Sequence, residues 1–556
     1  MWDTFMHYDF IIVGAGSAGC VLANRLTDNS KYRVLLIEAG PKNGALSLKI
    51  PAAMLQNLQS TRHNWAFKGE PEPELRQRVI THDRGKTLGG SSSINGMVFI
   101  RGHALDFEGW HQSGCEGWGY ADVLPYFKRM ENYSGGDDEY RGGEGPLNVH
   151  RPTPSNPIYQ AFLEAGQEAG YPLTDDICGY CQEGFGVLDM SIHNGQRSST
   201  ATAYLDPAKN RKNLKIITKA QVQKIVLDGI TATGVQYKSA DGKVVVATAR
   251  REVILSAGAV GSPQLLMLSG IGPELDLKKL GISIVKNLPG VGQNLIDHPD
   301  FVMKYKCLKP VSIWPQTRLL GRARAGIRWL LRNDGICASN QFEVVACLRS
   351  SAGVEYPDIQ LTISPVAVDD ETWKPLSEHA FQIHVGLMRA LSRGSVTLRD
   401  DNPSTAPRIL ANYLSDPRDR DLLRKGIRLV REITGQEAFR ELCGEEIYPG
   451  ISVQSDQALD DCLAEKLTTQ WHLSGTARMG SKDDRGSVVD PKGRVHGLNK
   501  LRVVDASIMP FATNGNTNSP TIMIAEKISD FILDRTPLPR IEVPVWQNKD
   551  YDTCQR

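Results

Sequence analysis

The sequence has almost no net charge, few cysteines for its length and no long apolar run. Among 556 residues, 64 Lys and Arg stand against 63 Asp and Glu, leaving a net charge of +1. Such a balance creates no field to draw in nucleic acid, and no nucleic-acid partner is expected. Apolar stretches such as Phe10 to Val13 and Leu265 to Leu268 fall far short of the roughly 20 residues that cross a bilayer. The opening MWDTFMHYDFIIVGAG lacks a basic n-region, a discrete apolar core and a small-residue cleavage site, so no secretory signal is expected. A cytoplasmic protein is anticipated, with peripheral attachment at the inner membrane left open.

Ten cysteines, at 20, 115, 178, 181, 307, 337, 347, 443, 462 and 554, are too sparse for a disulfide scaffold. Cys178 and Cys181 form a C-x-x-C, but without a second pair or a strand-then-helix frame they are expected to be loop or surface thiols. The histidines, His63, His82 and His384 among them, show no paired metal-ligand spacing, so no metal site is expected. No G-x-S-x-G elbow supports an acyl-transfer hydrolase.

What is present starts with Tyr8 to Val13, a β-branched run followed by Gly14-Ala15-Gly16-Ser17-Ala18-Gly19 and a helical apolar pattern from Cys20 to Leu26. A second strand pattern, Tyr32 to Ile37, ends on Glu38. Strand, glycine turn, helix, strand and terminal acid are the parts of a dinucleotide-binding βαβ unit. The glycines permit the tight turn and close approach of backbone to a pyrophosphate, and Glu38 can accept from ribose hydroxyls. That acid argues against NADP, whose ribose phosphate it would repel. FAD is favoured over NAD by the second glycine-rich segment, Arg84 to Met97, whose small residues let backbone lie against a flat ring.

Similar strands recur at 214–217, 251–258 and 501–505, so the predicted fold class is α/β: a doubly wound, Rossmann-like FAD-binding domain, discontinuous over 1–155, 212–305 and 465–535. Residues 156–211 and 306–464 carry alternating strand patterns such as 381–385 and a helix pattern at 419–433, expected to form an interleaved, sheet-rich α+β substrate domain. The stretch 135–139 is expected to be a loop, and 536–556 a mobile tail.

Four blocks in this order resemble the glucose-methanol-choline family of flavin oxidoreductases over nearly the whole chain. They are GAGSAG with Glu38, RGKTLGGSSSINGMVFIRG at 84–102, GAVGSPQLLMLSGIG at 258–272, and WHLSGTARMG at 471–480 with VVDASIMP and GNTNSPTIMIAEKI at 503–528. PGVGQNLIDH at 289–298 is a further block. NWAF at 64–67, GEPEP at 69–73, SNQFE at 339–343 and SRG at 392–394 resemble the choline dehydrogenase and primary alcohol dehydrogenase branch. WHLSGTAR also resembles relatives acting on furan and aryl carbinols.

The likeness implies FAD contacts from Gly14, Gly16, Ser17, Ala18, Gly19, Glu38, Gly89, Gly90, Ser91, Asn95, Gly96, Met97 and Val98, with Val222 near the adenine side. Asp505 and Ala506 would lie along the ribityl and phosphate portion and Thr517 near the ring. Some members tether the flavin through a histidine in the second block. Ile94 stands at the matching position and has no nucleophilic atom, so non-covalent FAD is expected. The base histidine of many relatives precedes proline, whereas here Leu473 follows His472.

Hydride loss from a carbinol carbon requires alkoxide character at oxygen, hence a base within reach of the hydroxyl. The resemblance assigns that role to His472, with Asn518 holding the oxygen, and His298 is expected to be structural. Trp65, Glu343 and Trp471 are the candidate substrate-pocket residues. A carboxylate with an aromatic face would suit a quaternary ammonium, whereas Trp471 could equally line a pocket for an aliphatic or aryl alcohol. The expected activity is oxidation of a primary alcohol to an aldehyde, with electrons passed to a quinone, another carrier or O₂. An oxidase, a choline dehydrogenase, and an FAD-containing lyase or non-catalytic flavoprotein are the alternatives.

Overall fold

The computed structural model describes residues 7–556. The expected absence of a secretory signal rests partly on residues 1–6, outside the described residues. The strand His7–Val13 sits inside a seven-stranded sheet, parallel to Val34–Ile37 on one side and to Val244–Leu255 on the other. Phe10 to Val13 are buried without alternation, as strands covered on both faces require. Leu214–Ile217 extends the sheet in parallel beside Val34–Ile37, and Leu501–Val503 adds in parallel to Val244–Leu255. Thr231–Lys238 and Gln221–Asp228 complete it as an antiparallel pair.

The helix Ser17–Leu26 begins at Gly16 with no side-chain cap, so its first amides remain available to an anion. It is tied to the helix Asn518–Ile532 by the ion pair of Arg25 with Glu526 at 2.7 Å. Residues about 500 positions apart therefore share one packed layer.

The second sheet is antiparallel throughout and also seven-stranded. Cys443–Tyr448, Pro299–Cys307, Ala380–Leu387, Ile359–Ser364, Val344–Leu348 and Gly184–Val187 follow in order, with Thr468–Thr469 beside Pro299 and Asp300. The helix Pro417–Thr434 covers it with Leu423, Ile427, Val430 and Ile433, its first turn capped by Asp416, which accepts from the Arg418 amide.

Two expectations are corrected. Residues 299–305 are expected in the nucleotide-binding unit, yet Phe301, Met303 and Tyr305, alternate residues of the strand Pro299–Cys307, belong to the core of the second sheet, so the change of unit precedes residue 305. Residues 536–556 are not a free tail: the Ile541 amide donates to the Ala121 carbonyl, Trp546 to Tyr180, and Arg349 donates to the Cys554 carbonyl. All ten cysteines are unpaired. Cys178 is buried rather than superficial, and burial pushes its thiol up to about 12, far from a reactive state.

Candidate active site

A cavity of about 1660 Å³ is walled by residues of both sheets. At one end lie Gly14, Gly16, Ser17, Ala18, Glu38 and Val222. Gly19 is behind this wall and serves its shape, because a Cβ there would stand 1.9 Å from the Gly14 carbonyl oxygen. Glu38, at the end of its strand, accepts from the Ala15 amide at 2.9 Å and the Gly40 amide at 2.8 Å. Burial raises its carboxyl to about 7, and those two donors work against the rise.

The segment 84–98 folds over this turn. Gly90 has φ +51, and a Cβ on it would approach the Gly16 Cα to 2.6 Å, so the two glycine-rich segments meet backbone to backbone. Gly90, Ser91, Ile94, Asn95, Gly96, Met97 and Val98 reach the cavity, whereas Gly89 sits behind them. Asn95 Oδ1 accepts from the Met97 amide at 3.1 Å and from Arg197 at 2.7 Å, which fixes the loop from its buried side. Asp505 joins the third wall: its carboxylate accepts from the Gly258 amide at 2.9 Å, Ser262 Oγ at 2.5 Å and the Ser507 amide at 2.8 Å. Ala506 and Thr517 line the cavity beside it, where the helix Asn518–Ile532 opens without a side-chain cap.

His472 lies deep in the same cavity and is held from both ends. Its backbone amide donates to Asp297 Oδ1 at 2.7 Å, and the same carboxylate takes the hydroxyls of Tyr413 and Thr469. Trp471 before it adopts φ +59, and its carbonyl accepts from the half-buried Arg84 guanidinium. On the ring, Nε2 is 3.1 Å from Asn516 Nδ2 and Nδ1 is 2.9 Å from His298 Nδ1. With the Asn516 amide nitrogen assigned as the donor in this contact, Nε2 is the unprotonated nitrogen, and Nδ1 then carries the proton and donates to His298. Burial first, then His298 and Arg84, holds the His472 pKa well below its ordinary 6.5. The neutral imidazole is therefore the resting form near neutral pH.

Asn518 does not meet the histidine. Its Oδ1 accepts from Ser17 Oγ at 2.7 Å, because as the first residue of its helix it faces the glycine turn. Asn516, two residues earlier on the preceding loop, occupies the place expected of Asn518. His298, expected to be structural, meets the His472 ring directly.

The substrate-side expectations divide. Trp471 and Trp65 line the cavity, but Glu343 is not on its wall; its carboxylate accepts from Ser339 at 2.7 Å. Trp65 stacks on Phe67 at 5.5 Å and already carries Lys86 Nζ over its ring at 4.2 Å. Trp373, which no sequence pattern singled out, lies 5.7 Å from Trp471 across the cavity. Asp300 and Asp370 also reach the wall, paired with His384 at 2.7 Å and Lys304 at 2.6 Å. Among the described residues no cluster could hold a metal ion.

The GMC oxidoreductase model matches residues 8–300 with its N-terminal part and 390–525 with its C-terminal part. The chain belongs to the GMC oxidoreductase family. It is 48% identical over 551 residues to an oxygen-dependent choline dehydrogenase of Brucella suis, covering 99% of this chain and all of that one. Among solved structures it resembles a pyridoxine 4-oxidase from Mesorbium loti, at 30% identity and a TM-score of 0.86 over 95% of this chain and 99% of the other. A formate oxidase from Aspergillus oryzae, described for its FAD modification, gives 28% identity and a TM-score of 0.89 over 96% and 99%.

This GMC oxidoreductase is an FAD-dependent enzyme that acts on the CH–OH group of an alcohol and passes electrons to an acceptor. Its glycine turn, the overlying 84–98 segment and the Asp505 wall fit such a cofactor, since the close backbone contact at Gly16 and Gly90 leaves no room for side chains there. The expected fold class holds, as does the family likeness of the sequence blocks. Asn516 and Trp373 were not singled out in the sequence, and His298 was singled out only as structural; Asn516 carried a signal as the first asparagine of N-T-N, and His298 as the last residue of the block at 289–298.

Proposed function

We propose that the chain oxidises a primary alcohol to an aldehyde, with His472 taking the hydroxyl proton on Nε2 and Asn516 fixing the substrate oxygen. The observation that carries this reading is the 3.1 Å approach of Asn516 Nδ2 to His472 Nε2 inside the shared cavity. Bound FAD supplies the hydride acceptor. Gly14, Gly16, Ser17, Glu38, Gly90, Asn95, Asp505 and Thr517 are the residues proposed to hold it, and Val222 its adenine end. Ile94 on the wall offers no atom for a covalent tether, which supports non-covalent binding.

The protein's own groups do the acid–base work. His298 accepts from His472 Nδ1 and so keeps Nε2 free, while Asp297 and Arg84 fix the loop that bears the ring. An imidazole buried and neutral has its lone pair available to accept the substrate proton at neutral pH.

An uncharged alcohol is the favoured substrate. The carboxylate expected to meet an ammonium, Glu343, is off the wall, the Trp65 face is taken by Lys86, and of the acids on the wall Asp300 and Asp370 are already paired, while Glu371 and Glu465 lie at exposed positions. Choline is the second reading, supported by the choline dehydrogenase relatives and by the Trp373–Trp471 pair. The electron acceptor is taken to be a quinone or another non-nicotinamide carrier, with O₂ the alternative. Ten unpaired cysteines support a reducing, cytoplasmic setting.

Anaerobic mixing with a panel of alcohols tests the reaction: bleaching of the flavin supports dehydrogenation, and its absence with every alcohol would point to a lyase or non-catalytic flavoprotein. Admitting air afterwards separates the acceptors, since immediate recovery of oxidised flavin marks O₂.

A further inference from the structure

Most large apolar side chains exposed on this molecule are scattered, but five crowd the single helix Leu319–Arg332. Leu319, Leu320, Ile327, Leu330 and Leu331 are exposed by 84%, 75%, 58%, 61% and 78%. At 3.6 residues per turn they fall within an arc of about 120°. That arc points away from the protein, because the one buried residue of the helix, Trp329, lies roughly opposite and donates from Nε1 to the Gly195 carbonyl at 2.7 Å. Among the described residues nothing covers the stripe.

The rest of the helix is basic. Arg318, Arg322, Arg324, Arg328 and Arg332 fill the rest of the circumference, Arg324 and Arg322 nearest the two edges of the apolar arc, and no acidic residue occurs from 318 to 332 in a chain whose net charge is only +1. Of the five, Arg328 is partly neutralised by Asp334 at 2.6 Å and Arg318 lies over the Trp314 ring. An outward leucine stripe on a helix whose polar face is wholly basic is the pattern of a helix that lies in a bilayer interface, apolar side chains among acyl chains and the nearest guanidinium groups, of Arg322 and Arg324, at the headgroups.

We infer that the Leu319–Arg332 helix docks the enzyme on an anionic phospholipid surface. Charge complementarity selects this occupant over a second copy of the chain, since two-fold pairing through the stripe would bring two helices together that carry arginines at the stripe's borders and no acid to meet them. No helix of the described residues is long and apolar enough to cross a membrane, so the attachment is peripheral. Gln316, Thr317, Arg322 and Ala325 reach the wall of the active-site cavity, which places the helix at its rim. A docked enzyme thus holds the rim of its cavity close to the lipid. The inference stands whichever alcohol is oxidised.

The test is flotation of holoenzyme with vesicles of phosphatidylcholine alone and of phosphatidylcholine with phosphatidylglycerol in equal parts. Wild type should float with the anionic vesicles, stay behind with the neutral ones, and be released by high salt. The triple variant Leu320→Ser, Leu330→Ser, Leu331→Ser, all at exposed positions off the cavity wall, should partition about tenfold more weakly or worse. It should keep its full flavin content and its rate with a water-soluble alcohol and dye acceptor. Wild type that stays behind with both vesicles, or a variant that floats as well as wild type, would overturn the inference. A concentration-dependent dimer abolished by the triple substitution would overturn it too, by assigning the face to a second copy.

Discussion

His298 Nδ1 lies 2.9 Å from His472 Nδ1, the two rings meeting edge to face at 80°. Two neutral imidazoles in that contact must share one proton between the facing nitrogens, so the state of one ring dictates the tautomer of the other. Burial pushes His298 down to about 4, and a charged His298 is excluded near neutral pH. His298→Ala should therefore retain FAD yet slow anaerobic flavin reduction about tenfold or more, because the wrong tautomer of His472 becomes accessible. A reduction rate equal to wild type would leave His298 as packing only.

The asparagines of the N-T-N segment should separate cleanly. Asn516→Ala is expected to slow flavin reduction by about 10- to 10³-fold, since it orients the reacting oxygen. Asn518→Ala removes the partner of Ser17 at 2.7 Å and should act chiefly on FAD retention. Stopped-flow reduction rates on flavin-loaded variants, with flavin-to-protein ratios alongside, decide between the two assignments.

Much of this site was legible in the sequence, and the failures have a common cause. Phe10 to Val13, the glycine turn and Glu38 form a local unit, so their spacing alone carries the shape. His472 and Asn516 belong to a loop pairing that no local pattern reveals: the His472 strand reaches Asp297 and His298 through the Ile296–Ser474 bridge, some 175 positions away in sequence. Two asparagines two residues apart look equivalent on paper. The helix start at Asn518 turns one toward Ser17 and leaves the other on the loop facing the imidazole. Glu343 failed similarly, because burial and a nearby hydroxyl at Ser339 took its carboxylate off the cavity wall.

The pH profile follows from the His472 shift. A histidine whose pKa is lowered by burial stays neutral until the pH falls below its ordinary value of 6.5. The reductive rate should thus be level through neutral pH and fall only under acid conditions, as His472 takes a proton. An inflection above 6.5 would contradict this environment for the ring.

Gly90→Ala should abolish or strongly weaken FAD binding, because its Cβ would press against the Gly16 Cα at 2.6 Å in a left-handed conformation. Flavin absorbance per protein should drop while far-ultraviolet dichroism stays near wild type. In wild type, acid precipitation should release all the flavin. Yellow colour in the pellet would refute the non-covalent assignment at Ile94.

Substrate preference is measured by kcat/KM on choline, a medium-chain alcohol and a benzylic alcohol. The uncharged alcohols should lead. Choline giving the highest value would favour the second reading, and Trp373→Ala and Glu343→Gln would then show which group meets the ammonium.

The most direct test of the account is the rate of anaerobic flavin reduction in His472→Ala. General-base catalysis contributes about 10²–10⁴-fold, so the flavin-loaded variant should be slower by that order, with the acid inflection of wild type gone. A variant that keeps its FAD and is reduced within a factor of about three of wild type would contradict it, since that is under about 1 kcal/mol of barrier.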